Sequence, residues 1–182
     1  MHASTLKIED IPHYTYADYV TWEGRWELIQ GVPYAMTPAP ALKHQRINRK
    51  IIWQLSELLK DCRKCEVFLP IDWQITEDTI VQPDALVVCG ENLNGKKLET
   101  TPVIIFEILS ASNAKKDRIL KYRLYEAAGV KYYCIIDPET SSADVFLLQP
   151  DKYRQADEFK NGRLCFDLGP REIEFDFNWI FI

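Results

Sequence analysis

One charge sits where this chain should tolerate it least. Val103-Ile104-Ile105-Phe106-Glu107-Ile108-Leu109 is apolar at every position except Glu107. A short run without polar alternation belongs to a central strand covered on both faces. Glu107 is then buried, and a buried carboxylate is costly unless it is paired, hydrogen-bonded or bound to a metal. Two readings are open. Glu107 can pair with a Lys or Arg on a covering helix, or it can belong to a functional site, where perturbed carboxylates cluster.

The surrounding pattern supplies that covering. Thr15 is placed to cap a short helix through Trp22, and Trp26–Met36 reads as a hairpin turning at Gln30-Gly31. Thr37-Pro38-Ala39-Pro40 makes a loop. His44–Asp61 is a helix with Ile47, Ile51, Leu55, Leu58 and Leu59 on one face. Strands follow at Glu66–Thr76, bent at Pro70, at Ile80–Cys89, entered through Pro83, and at Val103–Ser110, with a Gly/Asn loop (Gly90, Asn92, Asn94, Gly95) before the last. Ser112 or Asn113 caps a helix over Ala114–Ala128, closed by Gly129. A fourth strand is Lys131–Ile136. Beyond it, Ala143–Leu148, Tyr153–Phe159 and Arg163–Leu168 read as a meander with turns at Gln149-Pro150 and Asn161-Gly162, and the aromatic tail Glu172–Ile182 packs back on the core. The expected class is α/β, an α+β mixed sheet. Its αβββαβ core spans 44–136, with an N-terminal helix and hairpin and a C-terminal β extension, in one domain over 1–182.

Asp84 follows Pro83 at the opening of the strand before Glu107. Alone it is an ordinary turn acid. Set on neighbouring strands, Asp84 and Glu107 can face one another, and two close carboxylates repel unless a cation lies between them. Hard oxygen donors with room for water suit Mg²⁺.

These residues resemble the P-D…(D/E)-x-K signature of restriction-type nucleases, as Pro83-Asp84 followed by Glu107-Ile108-Leu109. Longer strings resemble the Uma2 (DUF820) family: WELIQG at 26–31, TPAPALKHQRI at 37–47, VQPDALVV at 81–88, FEILSAS at 106–112, YEAAGV at 125–130 and YCIIDP at 133–138. The resemblance implies a restriction-endonuclease-like fold and metal-dependent phosphodiester hydrolysis of nucleic acid, with DNA as the expected substrate. It implies Mg²⁺ or Mn²⁺ held by Asp84, Glu107 and the Ile108 carbonyl. Two positions depart from the pattern. Leu109 stands where the motif has lysine, which implies that Lys121 of the following helix supplies the cation, and Ala111 stands where the family often has proline. Glu27 is implied beside the metal and His44 as a further catalytic candidate, with Gln82 a weaker one nearby. Against these stand plainer roles: Glu27 in a surface cross-strand pair, His44 as a cap or packed residue, and Lys121 as a snorkelling lysine or the i,i+4 partner of Asp117.

The net charge of −5 and a pI near 5.3 sit awkwardly with a nucleic-acid partner. The charge is uneven, however. Leu42–Lys50 carries four cations and no acid, and Lys115–Arg123 carries five against Asp117. Arg46, Arg49, Lys115 and Arg118 are the candidates for phosphate contacts. The five cysteines, at 62, 65, 89, 134 and 165, are odd in number and irregular in spacing. That points to reduced thiols, with Cys62 and Cys65 lacking the second pair of a zinc site. No stretch reads as a secretory leader or a membrane span, so the expected address is the cytoplasm. The aromatic tail (Phe175, Phe177, Trp179, Phe181) offers more apolar surface than the core needs, which predicts a homodimer. A second hypothesis keeps the nuclease fold without catalysis, as an assembly or nucleic-acid-binding module. A divalent-metal titration separates the two.

Overall fold

The computed structural model describes residues 12–36, 40–90, 93–111, 113–159 and 162–182. The expected loop residues 37–39, Asn92, the Ser112 cap, Asn161 of the expected turn and the stretch before residue 12 lie outside these.

Two sheets organise the chain. The larger has six strands in the order β10-β9-β8-β7-β6-β3: β3 (Cys65–Phe68), β6 (Ala85–Cys89), β7 (Ile104–Ile108), β8 (Tyr132–Asp137), β9 (Ser142–Gln149) and β10 (Lys152–Phe159). In this sheet, among the described residues, β7 and β8 are the one parallel pair, with a helical crossover between them. The smaller sheet, β2-β1-β5-β4, joins β1 (Trp26–Ile29), β2 (Val32–Ala35), β4 (Trp73–Thr76) and β5 (Thr79–Val81).

Two expected strands are therefore each divided. Glu66–Thr76 splits into β3 and β4 around Pro70, and Ile80–Cys89 splits into β5 and β6 around Pro83. Proline has no N–H for a ladder, so the chain leaves one sheet and enters the other at these points. The split at Gln82-Pro83-Asp84 brings the end of one sheet and the start of the other beside a single site. The expected C-terminal meander is also divided. β9 and β10 extend the large sheet, whereas β11 (Arg163–Asp167) and β12 (Glu172–Asp176) form a two-stranded sheet of their own among the described residues.

Alternation along β7 settles where Glu107 points. Ile104, Phe106 and Ile108 pack into one core with α2 (Leu42–Leu59), whose Ile47, Ile51, Leu55 and Leu59 are buried. Each such aliphatic side chain contributes roughly 1.5–3 kcal/mol of burial. Ile105 and Leu109 belong to the opposite core, with Tyr125 and Tyr133. Glu107 shares the parity of that second face. The helix over it differs from the expected Ala114–Ala128. It opens as a π-helical turn, Lys116–Lys121, and continues as α3 (Tyr122–Ala127).

At the hairpin, Gln30 and Gly31 both take positive φ, 51° and 73°. This is the two-residue turn whose twist matches the flanking strands. A Cβ on Gly31 would lie 2.2 Å from the His13 ring. The short helix α1 covers only Tyr16–Tyr19, with the Thr15 N–H donating to Asp18 Oδ2 at 2.8 Å.

One further expectation changes. Cys65 and Cys89, register partners on β3 and β6, form a disulfide, leaving Cys62, Cys134 and Cys165 as free thiols. The partner of Cys65 lies across the sheet, where sequence spacing gives no sign of it. The aromatic tail packs back on the core as expected, with Trp179 and Phe181 only partly buried. Phe175 and Phe177 are buried against Phe106 and Phe166, and Ile180 of α4 (Phe177–Phe181) is buried with them. No helix among the described residues is long and apolar enough to cross a membrane.

Candidate active site

The register of β6 with β7 sets Ala85 opposite Phe106 and Leu86 opposite Ile105. Carried one step past the end of β6, it puts Asp84 opposite Glu107. Asp84 Oδ2 accepts from the Ile108 N–H at 2.8 Å and lies 3.1 Å from His44 Nε2 on α2. Asn48, one turn along the same helix, donates to the Asp84 carbonyl at 3.0 Å. Asp84 Oδ1 has no protein partner among the described residues. Because the N–H and C=O of one strand residue point to the same side, the Ile108 carbonyl faces Asp84 too.

Behind Asp84 the site is closed. Glu27, on β1, is 0% exposed, and Glu107, Asp117 and Lys121 are buried with it. The Lys121 ammonium lies 2.8 Å from Glu27 Oε1, 2.8 Å from Glu107 Oε1 and 3.7 Å from Asp117 Oδ1. Lys116 holds the other Glu27 oxygen at 2.5 Å, and the Gln82 N–H donates to Glu27 Oε1 at 3.0 Å. The Tyr125 hydroxyl donates to Glu107 Oε1 at 2.7 Å. Asp117 Oδ1 is buried without a hydrogen bond, and so is His44 Nδ1.

The π turn explains why two lysines reach one carboxylate. In an α-helix, residues five apart lie on different faces, whereas π geometry, with its i→i+5 hydrogen bonds, stacks them. Lys116 and Lys121 are five apart and grip opposite oxygens of Glu27.

Charge follows from this packing. Burial pushes the Glu107 carboxyl well above its usual range, with Lys121 pulling the other way and Asp117, Asp84 and Glu27 adding to the rise. Burial also raises Asp117, to about 6, against the pull of Lys121 and Lys116. For Glu27, burial acts upward, but Lys121 and Lys116 overcome it and hold the carboxyl below its usual value. Burial opposes the Lys121 charge, yet Glu107, Glu27 and Asp117 reverse this and keep the ammonium protonated. The Tyr125 hydroxyl, raised by burial and then by Glu107, stays a donor. Four carboxylates thus share the site with two ammonium groups, a surplus of two negative charges when all are ionised.

The structure therefore brings Asp84, Glu107, Lys121, Glu27 and His44 together, and both readings of Glu107 meet at Lys121. Glu27 is no surface pair, and Gln82 touches it through its backbone. Other expected contacts fall elsewhere. Arg118 pairs with Asp144 at 2.7 Å and Asp137 at 3.6 Å. Sequence reasoning missed Lys116 and Tyr125. Lys116 sits in the basic stretch, but only a π turn aims it inward, and Tyr125 reads as core.

Acids arranged in this way can hold a cation beside Asp84. The fold has a solved counterpart in the crystal structure of a putative nuclease belonging to DUF820 from Anabaena variabilis, 18% identical, with a TM-score of 0.74 over 92% of this chain and 97% of that one. No functionally curated protein matches the chain. The sequence matches the Uma2 family, described as "Putative restriction endonuclease", over residues 16–166. With most of its length inside that match and a nuclease-like fold around the buried acids, the chain belongs to the Uma2 family.

Proposed function

We propose that the protein is a metal-dependent endonuclease that hydrolyses phosphodiester bonds of DNA. The observation that carries this reading is the acid cluster: four carboxyl groups, Asp84, Glu27, Glu107 and Asp117, meet two ammonium groups, and Asp117 Oδ1 is buried without a hydrogen bond. Such a site fits a hard divalent cation. Among the described residues no three metal-type side chains already converge on one point, which is consistent with an ammonium group between Glu27 and Glu107. Asp84, Glu107 and the Ile108 carbonyl would hold Mg²⁺ or Mn²⁺. When bound, the ion polarises the phosphate and lowers the pKa of a water.

The chain's own residues divide the remaining work. Lys121 offers a preorganised positive charge to the attacking water and the developing phosphorane charge. Glu27, saturated by Lys116, Lys121 and the Gln82 N–H, anchors the two lysines. Tyr125 fixes Glu107, and His44 fixes Asp84. Cleavage of plasmid DNA that needs Mg²⁺ or Mn²⁺, stops with chelator and disappears in Asp84→Asn is the expected result. Equal cleavage by Asp84→Asn would point to a contaminating nuclease and end the assignment.

One observation favours the non-catalytic reading: Lys121 already neutralises part of the acid cluster. Calorimetric titration with Mn²⁺ separates the two, since a scaffold takes up no ion at Asp84 and Glu107. A homodimer completes the proposal. Light scattering tests the assembly, and the Cys65–Cys89 disulfide favours an oxidising compartment over the cytoplasm expected from the sequence, where such bonds are rare.

A further inference from the structure

A groove of about 930 Å³ runs from Asp84 along the outer side of α2. Its helix wall is a second stripe, distinct from the buried one: His44, Asn48, Ile52 and Ser56 at four-residue spacing, with Arg49 and Trp53 beside them. Trp53 is 54% exposed and packs against Trp179, ring centroids 4.8 Å apart and planes tilted by 36°. Leu69, 62% exposed, and Pro70 face it from the loop after β3. The cations on this groove are only partly neutralised. Arg49 has no partner among the described residues, and Arg25 donates at 2.8 Å to the uncharged side-chain carbonyl of Gln82. Lys43 meets the exposed Glu139 at 3.6 Å.

This mixture discriminates between forms of nucleic acid. A duplex keeps its base faces stacked inside and presents phosphates and groove edges. Half-exposed Trp53, Leu69 and Pro70 gain little from it. An unpaired strand offers base faces to an aromatic ring and phosphates to flanking cations. Trp53 lies nine residues beyond His44, about 13 Å along the helix at ~1.5 Å per residue. That equals roughly four stacked nucleotides at ~3.4 Å each.

We propose that the α2 groove binds single-stranded DNA, with a base stacked on Trp53 and the backbone following Arg49 and Arg25 toward Asp84. The inference rests on the nuclease reading for its direction, and its binding test is independent of cleavage. Full-length protein in EDTA is titrated into a fluorescein-labelled oligothymidylate of roughly 12 nucleotides, a length within the site sizes of stacking platforms, and into a duplex of the same length. Fluorescence anisotropy should show the single strand binding more tightly. Trp53→Ala should weaken it about five- to 150-fold, the equivalent of losing one base stack. Trp53→Phe should keep most of the affinity, and Arg49→Ala should lower both affinity and its salt dependence. A duplex bound as well as the single strand overturns the proposal, and so do unchanged affinities in Trp53→Ala and Trp53→Phe. Sedimentation in which Trp53→Ala turns a dimer into a monomer without affecting oligonucleotide binding overturns it too, in favour of a contact between copies. Protein that cuts duplex DNA but ignores the single strand keeps the nuclease reading and loses this one. Binding through Trp53 without any cleavage does the reverse.

Discussion

Replacing Lys121 with methionine keeps most of the side-chain stem and deletes the ammonium. Glu27 and Glu107 then lose a partner 2.8 Å away, and Asp117 one at 3.7 Å. At an effective dielectric constant of 20, each 2.8 Å contact is worth about 6 kcal/mol of Coulomb attraction before desolvation is counted. The measured cost of breaking a buried pair is smaller, about 3–5 kcal/mol, because desolvation offsets much of the attraction. That is a large part of the ~5–15 kcal/mol that holds a domain together. At this chain length it corresponds to a fall of roughly 6–20 °C in Tm. Protonation limits the loss. Glu107 and Asp117 already sit above their usual range, and without Lys121 they rise further. A group with a raised folded-state pKa stabilises the fold at low pH and loses that contribution as pH rises through it. The penalty of Lys121→Met should therefore be full at pH 8 and much reduced at pH 5. Urea unfolding of both proteins in EDTA at the two pH values measures it. A penalty below about 1 kcal/mol at pH 8, or one equal at both pH values, refutes the account of Lys121 as counter-ion to the buried acids.

Four other outcomes follow from the same site and fold. Glu107→Gln should abolish Mn²⁺ uptake and cleavage while matching or exceeding wild-type stability in EDTA, because burial already disfavours the Glu107 charge; a marked loss of stability speaks against this. Asp117 rises from 3.8 to about 6 on burial, so in EDTA wild type should lose stability relative to Asp117→Asn by roughly 3 kcal/mol between about pH 4 and 6; a flat difference across that window removes the shift. Thiol titration of unreduced, denatured protein should find Cys62, Cys134 and Cys165 but not Cys65 or Cys89. In the native protein the exposed Cys165 should react first and Cys134, whose thiol burial pushes well up, last. Cys89→Ala, which opens a link between residues 24 apart, should cost on the order of 3 kcal/mol. Five titratable thiols in unreduced protein contradict the disulfide.

What the sequence could reveal depended on how local each signal was. β7 and its anomalous Glu107 were legible because burial on both faces suppresses alternation within seven residues. The Gln30-Gly31 turn and the buried stripe of α2 were legible for the same reason, since each obeys a short period. Glu27 was not legible from pattern, because its burial is created by β5 and the π turn, both distant in sequence. Only the likeness of the WELIQG string pointed to it. Lys116 was hidden because α-helical spacing turns it away from Lys121, and a π turn carries no simple signature. The Cys65–Cys89 bond was hidden by a nearer distraction, Cys62, whereas the register of β3 with β6 chose the distant partner. The divisions at Pro70 and Pro83 were half visible, since proline marks a break but not the change of sheet.

The position of the lysine yields a last test. Residues 107 and 109 share one face by alternation, and Leu109 also lines the groove beside Asp84. A lysine at 109 would therefore approach the same carboxylates from the strand, without crossing the sheet. Here Leu109 packs in the core, and the cation arrives from the helix, fixed by Glu27 as well as Glu107. If catalysis needs only a positive charge at this point, Leu109→Lys added to Lys121→Met should restore Mg²⁺-dependent cleavage at least about tenfold, or ~1.4 kcal/mol of barrier, over Lys121→Met alone. The new ammonium should also recover part of the stability lost at pH 8, because Glu107 regains a partner. Stability recovered without cleavage would show that charge balance is satisfied but that the helix-borne geometry, with Glu27 holding Lys121 in place, is required for turnover. Neither recovered, in a protein that still folds, would remove the premise that the two positions address one point.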